Sequence, residues 1–519
     1  MLRTSAQKFP DKEAIVHGEQ RLSYSRVASL TAGLAQTLRG LGLKRIDRIG
    51  IYTEPSVAQV VSIFGISQAG GAYVPINHQL FPEQVAHIAR DCGMTMLITT
   101  RAKLASLAPV LNQIPTLKVA LVTGEGELPE ISLQIHDFDK AVQAPAQSPW
   151  QDWCISKDLA AILYTSGSTG KPKGVMLSHA NVMAGATIVS TYLDITDNER
   201  ILAVLPFSFD AGMNQLTTAF QQGATIVLIK FIFAREIVNA LLKENITGLA
   251  GVPTVWSLLA QPNSGLAKNK FPHLRYITNT GGAMPQNVLA QLRAALPTTK
   301  VFLMYGLTEA FRSTFLPPSE LDKRPTSMGK AIPDCEMMVI NEHGQLCKPG
   351  EIGELVHRGP TVSMGYWNNP EATAKVLKPN PLLPPELGEQ EIVCYSGDLV
   401  KMDEDGFLYY VSRRDTQIKS SGYRISPTEV EEVLFQSGYI RHAAVIGVPD
   451  EMLGQAVKAY VVARDGEAVD VEKLLKFCGE KVPHYMVPKY VEVLSELPKT
   501  TSGKVDYPSL RARAASGGN

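Results

Sequence analysis

An apolar run at 159–163 leads straight into Tyr164-Thr165-Ser166-Gly167-Ser168-Thr169-Gly170-Lys171-Pro172-Lys173-Gly174. This order constrains the fold because it makes a strand deliver a glycine-rich, hydroxyl-rich loop at its end. The glycines let backbone approach an anion closely, freed N–H groups and hydroxyls donate to phosphate oxygens, and Lys171 and Lys173 offset the charge. The loop is not of the Gly-Lys-Ser/Thr type that places a hydroxyl on magnesium, since Pro172 follows Lys171. A surface turn explains these residue types but not their order.

Around this loop the first four hundred residues alternate strand-like and helical patterns. Strands are expected at 47–52, 96–99, 225–229 and 247–251, and helices at 56–68, 82–91 and 234–244. Repeated units of this kind predict largely parallel sheets with helices on their faces. Near Val411 the pattern changes to a smaller α+β segment. There Ser426-Pro427-Thr428-Glu429 combines an N-cap serine, a proline at the first helical position and a glutamate three residues after the cap. A helix to about Phe435, strands at 443–447 and 457–463 and a helix over 471–481 follow. The expected domains are 1–414 and 415–519. The stretch 497–505, rich in Pro, Thr, Ser and Gly, predicts a mobile loop without regular structure.

A chain of 519 residues exceeds what one core organises, which agrees with two domains. Fifty basic and fifty acidic residues cancel, so no global charge draws the chain to nucleic acid or an anionic membrane. The six cysteines lie far apart with no CxxC pair, which argues against zinc or a secreted disulfide framework. The longest apolar stretch, 57–74, is interrupted by Gln59, Gln68 and Gly70-Gly71, and reads as a buried helix leading into a strand, not a membrane span. The amino terminus lacks the apolar core of a signal peptide. A cytoplasmic location is expected.

Several short strings then recur in a known order: the loop at 164–174, Tyr305-Gly306-Leu307-Thr308-Glu309, Gly350-Glu351-Ile352-Gly353-Glu354-Leu355, Tyr395-Ser396-Gly397-Asp398, Arg413 with Asp415, Gly422-Tyr423-Arg424, and Pro498-Lys499-Thr500-Thr501-Ser502-Gly503-Lys504. In this the chain resembles the AMP-forming adenylating superfamily of acyl-CoA synthetases, nonribosomal adenylation domains and luciferases. The segment Gly306–Pro318 further resembles stand-alone ligases that accompany exosortase systems or load carrier proteins. The resemblance implies an α/β fold: a large N-terminal domain of largely parallel sheets covered by helices, with a small barrel-like part, and a small mobile α+β C-terminal domain. It implies activation of a carboxylic acid by ATP and Mg²⁺ as acyl-AMP, then transfer to a thiol.

The same resemblance assigns parts. Thr165, Ser166, Gly167, Ser168, Thr169, Gly170, Lys171 and Lys173 would hold the phosphates. Thr308 would contact the α-phosphate and Glu309 would help bind Mg²⁺. Tyr305, with Gly306, and Gly281-Gly282-Ala283 would border the adenine; Asp398 and Arg413 would hold the ribose. Lys504 would bring an ammonium to the reacting carboxylate and α-phosphate. Asp415 would be the hinge, and Lys419, Gly422 and Arg424 would serve the thiol step after the small domain swings. Ser412 departs from the family, which commonly has glycine there. The chemistry fits these parts, because joining two anions demands a cationic, well-oriented site.

The acyl pocket would be lined by Phe209, Asp210, Asn214, Ala250, Thr278, Thr280, Met304, Arg312 and Ser313, which suit a small to medium acid. Asp210 falls where amino-acid-activating members bind the substrate amine. Arg312 either pairs with Asp210 or recognises a second acid group, since a buried charge needs a partner. Three readings stay open: a ligase that passes a small acid to coenzyme A, a freestanding amino-acid-activating protein that loads the phosphopantetheine of an acyl or peptidyl carrier protein in trans, and a non-catalytic nucleotide binder. Either a monomer or a homodimer is compatible with the chain.

Overall fold

The computed structural model describes residues 1–145, 153–165, 172–387, 391–414, 416, 418–420, 423–450, 453–464, 468–482, 484–500 and 503–516. The chain forms a large α/β domain and a small α+β domain, as its patterning predicts.

The large domain contains two mainly parallel sheets. In the nine-stranded one, six strands run parallel in the order Lys300–Tyr305, Tyr276–Asn279, Gly248–Gly251, Arg200–Ala203, Thr225–Leu228 and Glu13–His17. Antiparallel strands close both of its ends. The seven-stranded sheet runs parallel from Gln134–Asp137 to Leu159–Thr165, and only Lys173–Ser178 at its edge is antiparallel.

One apolar cluster spans both sheets. Ile15 and Ile226 from the first and Ile49 and Ile98 from the second meet Leu34, Val60, Leu216 and Phe220 from helices. The helices approach closely: a Cβ on Gly65 would stand 2.8 Å from Leu34 Cδ2. The strands are hydrophobic almost throughout, as strands covered on both faces must be.

The barrel-like part is a five-stranded antiparallel sheet built on Glu336–Ile340, Ile352–Arg358, Ile392–Met402, Leu377–Pro379 and Leu408–Arg413. In the small domain, Ile440–Asp450 pairs antiparallel with Gly454–Ala463, and Tyr490–Leu494 adds in parallel. The strand pair is longer than the spans 443–447 and 457–463 expected from sequence, because register pairing carries it past the apolar residues to Asp450↔Gly454. Helices Pro427–Gln436 and Val471–Lys481 cover this sheet. Among the described residues no helix is long and apolar enough to cross a membrane.

Candidate active site

Open α/β sheets present ligands beyond the carboxyl ends of their parallel strands, where the loops diverge. Here those ends carry most of the residues singled out above. Strand Tyr276–Asn279 runs into Thr280 and Gly281, Lys300–Tyr305 into Gly306 to Glu309, and Arg200–Ala203 into the segment that ends at Phe209 and Asp210.

The loop expected to hold phosphate lies between Thr165 and Lys173, which are paired across the edge hairpin. Ser166, Gly167, Ser168, Thr169, Gly170 and Lys171 lie outside the described residues. The Lys173 ammonium lies 5.5 Å from the ring centre of Tyr366, and the Tyr366 hydroxyl donates to Glu309 Oε1 at 2.5 Å. Burial, then the Glu309 carboxylate, push the Tyr366 phenol well above its ordinary range, so it stays a donor at neutral pH. The mouth of the loop and the expected magnesium ligand thus share one corner. Among the described residues no group of three or more His, Cys, Asp or Glu forms a metal cluster. A single half-buried carboxylate fits Mg²⁺ that takes its remaining oxygens from phosphates and water.

A second corner joins Tyr305, Asp398 and Arg413. Asp398 and Arg413 are register partners on adjacent strands, with Arg413 Nη1 3.2 Å from Asp398 Oδ1. The Tyr305 hydroxyl donates to Asp398 Oδ2, and burial followed by this carboxylate raises its pKa strongly. Gly397 has φ 74°, and a Cβ there would stand 3.1 Å from Arg413 Nη2. Glycine is therefore favoured by the backbone, and a larger residue would press on the Arg413 guanidinium. Glu354 supports the turn: it accepts from the Gly397 amide at 3.1 Å and from Arg414 Nη1 at 2.7 Å. Ser412 lies within strand Leu408–Arg413 without a positive φ, so the local backbone does not need glycine.

The small domain reaches this site through Lys504. Its ammonium stands 6.0 Å from the ring centre of Phe209, and its Cε is 3.7 Å from the position a Cβ on Gly281 would take. Gly281 has φ 79°; Gly282 and Ala283 beside it are exposed. In the stretch 497–505, Thr501 and Ser502 lie outside the described residues, and hydrogen bonds join the residues on either side. Thr500 N donates to Lys504 O at 2.7 Å, Gly503 N to Thr500 O at 2.9 Å, and Lys499 bridges Val505. Asp415 and Gly422 lie outside the described residues. The backbones of Lys419 and Arg424 pair with each other in a small-domain hairpin.

In the acyl region Phe209 is half-buried and Asp210, Asn214, Ala250, Thr278, Thr280, Met304 and Arg312 are buried. Thr308 is also buried, at the start of the short turn that carries Glu309. Asp210 and Arg312 are not an ion pair among the described residues. Asp210 Oδ1 accepts from the Ala211 amide at 2.7 Å, and Arg312 Nη1 donates to Thr280 Oγ1 at 3.1 Å. Ser313 is fully buried and bonds His357 Nδ1 at 3.0 Å, while Thr361 holds the other ring nitrogen at 2.9 Å. Its hydroxyl is thus engaged by His357, whose burial holds its pKa down at about 3 and keeps it neutral.

Tyr366, Glu354 and His357 were missed from sequence. Glu354 lies inside a recognised string, but nothing in local spacing reveals that residue 366 meets residue 309.

Comparison with known proteins agrees with this geometry. Residues 2–367 match the model of the AMP-binding enzyme family and residues 429–504 that of the AMP-binding enzyme C-terminal domain. A long-chain-fatty-acid–CoA ligase of Bacillus subtilis (strain 168) is 30% identical over 97% of this chain and 92% of its own. Feruloyl-CoA synthase of an Amycolatopsis species is 31% identical over 98% of this chain and 97% of its own. The crystal structure of ATP-bound MatB from Rhodopseudomonas palustris superposes with a TM-score of 0.87 at 25% identity, covering 99% of this chain and 98% of that one.

Proposed function

The chain belongs to the AMP-binding enzyme family, and from that premise we propose that it joins a small carboxylic acid to the thiol of coenzyme A through an acyl-AMP intermediate. The observation that carries this reading is the placement of Lys504: a residue of the small domain stands near Phe209 and Gly281, at the ends of parallel strands, one of which also presents Glu309 and the Tyr305 that bonds Asp398 of the antiparallel sheet.

In the first step the substrate carboxylate oxygen attacks the α-phosphorus of ATP and pyrophosphate leaves. Lys504 would offset the charge shared by carboxylate and phosphate, and Thr308 would donate to the α-phosphate. Asp398 and Arg413 would orient the nucleotide, and Thr165 and Lys173 border the phosphate loop. Glu309, oriented by Tyr366, would hold Mg²⁺, which when bound neutralises phosphate charge. Positioning and electrostatics dominate phosphoryl and nucleotidyl transfer, so little covalent chemistry is asked of the chain. In the second step the small domain turns about Asp415, withdrawing Lys504 and bringing Lys419, Gly422 and Arg424 to the thiol.

Two observations support a small acid. The Phe311 ring is seated so close to helix His179–Tyr192 that a Cβ on Gly185 would stand 2.4 Å from it, and Tyr192 stacks on Phe315 at 4.3 Å. Coenzyme A as acceptor is supported by the names of the two relatives above. A phosphopantetheine carrier is the alternative acceptor.

Replacing Lys504 by Ala tests the reading. Pyrophosphate exchange should fall by about 10²–10³, the usual loss of one well-aimed donor, while thiol attack on preformed acyl-AMP continues. Equal loss in both half-reactions would refute the role given to Lys504, and the absence of exchange in the unaltered chain with every acid tried would refute the ligase.

A further inference from the structure

We propose that Arg312 recognises a second acidic group on the acid activated at this site, so that the substrate is a small diacid; this deepens the ligase reading and rests on it. Arg312 belongs to a strained turn. Phe311 and Arg312 both have left-handed backbone, with φ of 22° and 85°. The turn folds back so closely that Arg312 Cα is 2.9 Å from where a Cβ on Gly306 would stand. Backbone of this kind persists only where its surroundings over-determine it, and it concentrates at ligand clamps. Here it turns a guanidinium inward, leaving Arg312 5% exposed.

The interior does not match that charge. The one hydrogen-bond partner of Arg312 among the described residues is the Thr280 hydroxyl, which carries no negative charge, and a guanidinium has five N–H donors to satisfy. Asp210 is accounted for elsewhere. It opens the helix Asp210–Gln222, where backbone N–H groups and the helix dipole favour an anion, and its Oδ1 already accepts from Ala211. Tyr192 lies close enough to feel the Arg312 charge, but burial pushes its phenol up to about 12, so it supplies no anion at neutral pH. One turn beyond Asp210, Asn214 is 1% exposed, and its amide nitrogen has no hydrogen-bond partner among the described residues. A buried cation with one neutral partner and a buried unmet donor are each satisfied by an anionic ligand group.

Thr280, which holds Arg312, immediately precedes Gly281, near which Lys504 stands. Both cations therefore approach neighbouring positions at the end of one strand, Tyr276–Asn279, which makes short diacids the acids to try.

Pyrophosphate exchange with malonate, succinate and glutarate, each against its monoacid counterpart propionate, butyrate or valerate, tests the proposal. The experiment uses the full chain and its Arg312→Met and Arg312→Lys variants, with calorimetric titration of the same acids and thermal melts to verify folding. The unaltered chain should favour at least one diacid over its counterpart by about tenfold or more in kcat/KM, because a site built to pair a polar group rejects the analogue lacking it. Arg312→Met should collapse that ratio, and Arg312→Lys, which keeps the charge but loses the fork, should restore part of it. A preference for monoacids, or an equal fall for both members of a pair, would overturn the proposal, the latter by showing that Arg312 grips only the reacting carboxylate. Diacids that bind, lose binding in Arg312→Met and support no exchange would leave the pocket standing and overturn the ligase. Neither binding nor exchange would overturn both.

Discussion

Gly397 shows how a single atom decides a binding corner. Its φ of 74° favours glycine, and a would-be Cβ at 3.1 Å from Arg413 Nη2 would make the guanidinium give by a few tenths of an ångström. Replacing it by Ala should cost about 1–3 kcal/mol of backbone strain and displace Arg413 from Asp398. A melting temperature lowered by several degrees, together with a severalfold weaker nucleotide titration, is expected; an unchanged nucleotide affinity would show that the Arg413 position does not matter to binding. Tyr366 belongs to the same scale. A phenol donated to Glu309 at 2.5 Å holds the carboxylate toward the mouth of the phosphate loop. No sequence pattern announces it, since the two residues lie on separate elements and meet only after both have folded.

At the scale of elements, the helix Pro427–Gln436 was readable in detail from its opening residues. Ser426 caps it by accepting from the Glu429 amide at 3.3 Å, and Pro427 occupies the first turn. The same serine hydroxyl donates to Val411 O, which ties the small domain's first helix to the last strand of the antiparallel sheet. The role of Glu431 was not readable. On this helix it is an ordinary acid by sequence, yet it is half-buried, accepting from Val445 N and from the Tyr507 hydroxyl, each at 2.8 Å. Burial pushes its pKa up to about 7, with these two donors pulling the other way. Because the folded value stands above the unfolded one, near 4.3, the stabilisation is complete below about pH 4.3 and is lost as pH rises through 7. Glu431→Gln keeps an acceptor oxygen and removes the titration. Thermal melts between pH 5 and 8 should show the unaltered chain losing stability toward alkaline pH more steeply than the variant; parallel slopes would refute the assignment.

For the whole molecule, the question is whether the small domain, which brings Lys504 near Phe209 of the large one, must move between the two proposed steps. Gly503 lies close to helix Pro253–Leu259: a Cβ there would be 3.6 Å from Thr254 Oγ1. A side chain at 503 would thus touch the one at 254, which makes the two positions a pair to cross-link. A Thr254→Cys, Gly503→Cys double variant, once oxidised, should retain pyrophosphate exchange and lose thioester formation, with reductant restoring the second step. Thioester formation at full rate in the oxidised protein would exclude a swing of the small domain.

Much of this architecture follows from local patterning. Apolar runs alternating with amphipathic segments dictate parallel sheets and covering helices, because each face must be buried. Glycine, serine, threonine and lysine clustered after a strand predict an anion-holding loop, and the residues at 305–309, 395–398 and 498–504 were recognisable as strings because each keeps its residue types at fixed spacing within a few positions of chain. Tertiary structure alone decided which distant groups meet and which do not. Asp210 and Arg312 looked like a candidate pair by charge, but a helix N-terminus satisfies the first, while a left-handed turn carries the second to Thr280. Charge is written residue by residue; the distance between two charges depends on the path of all the chain that separates them.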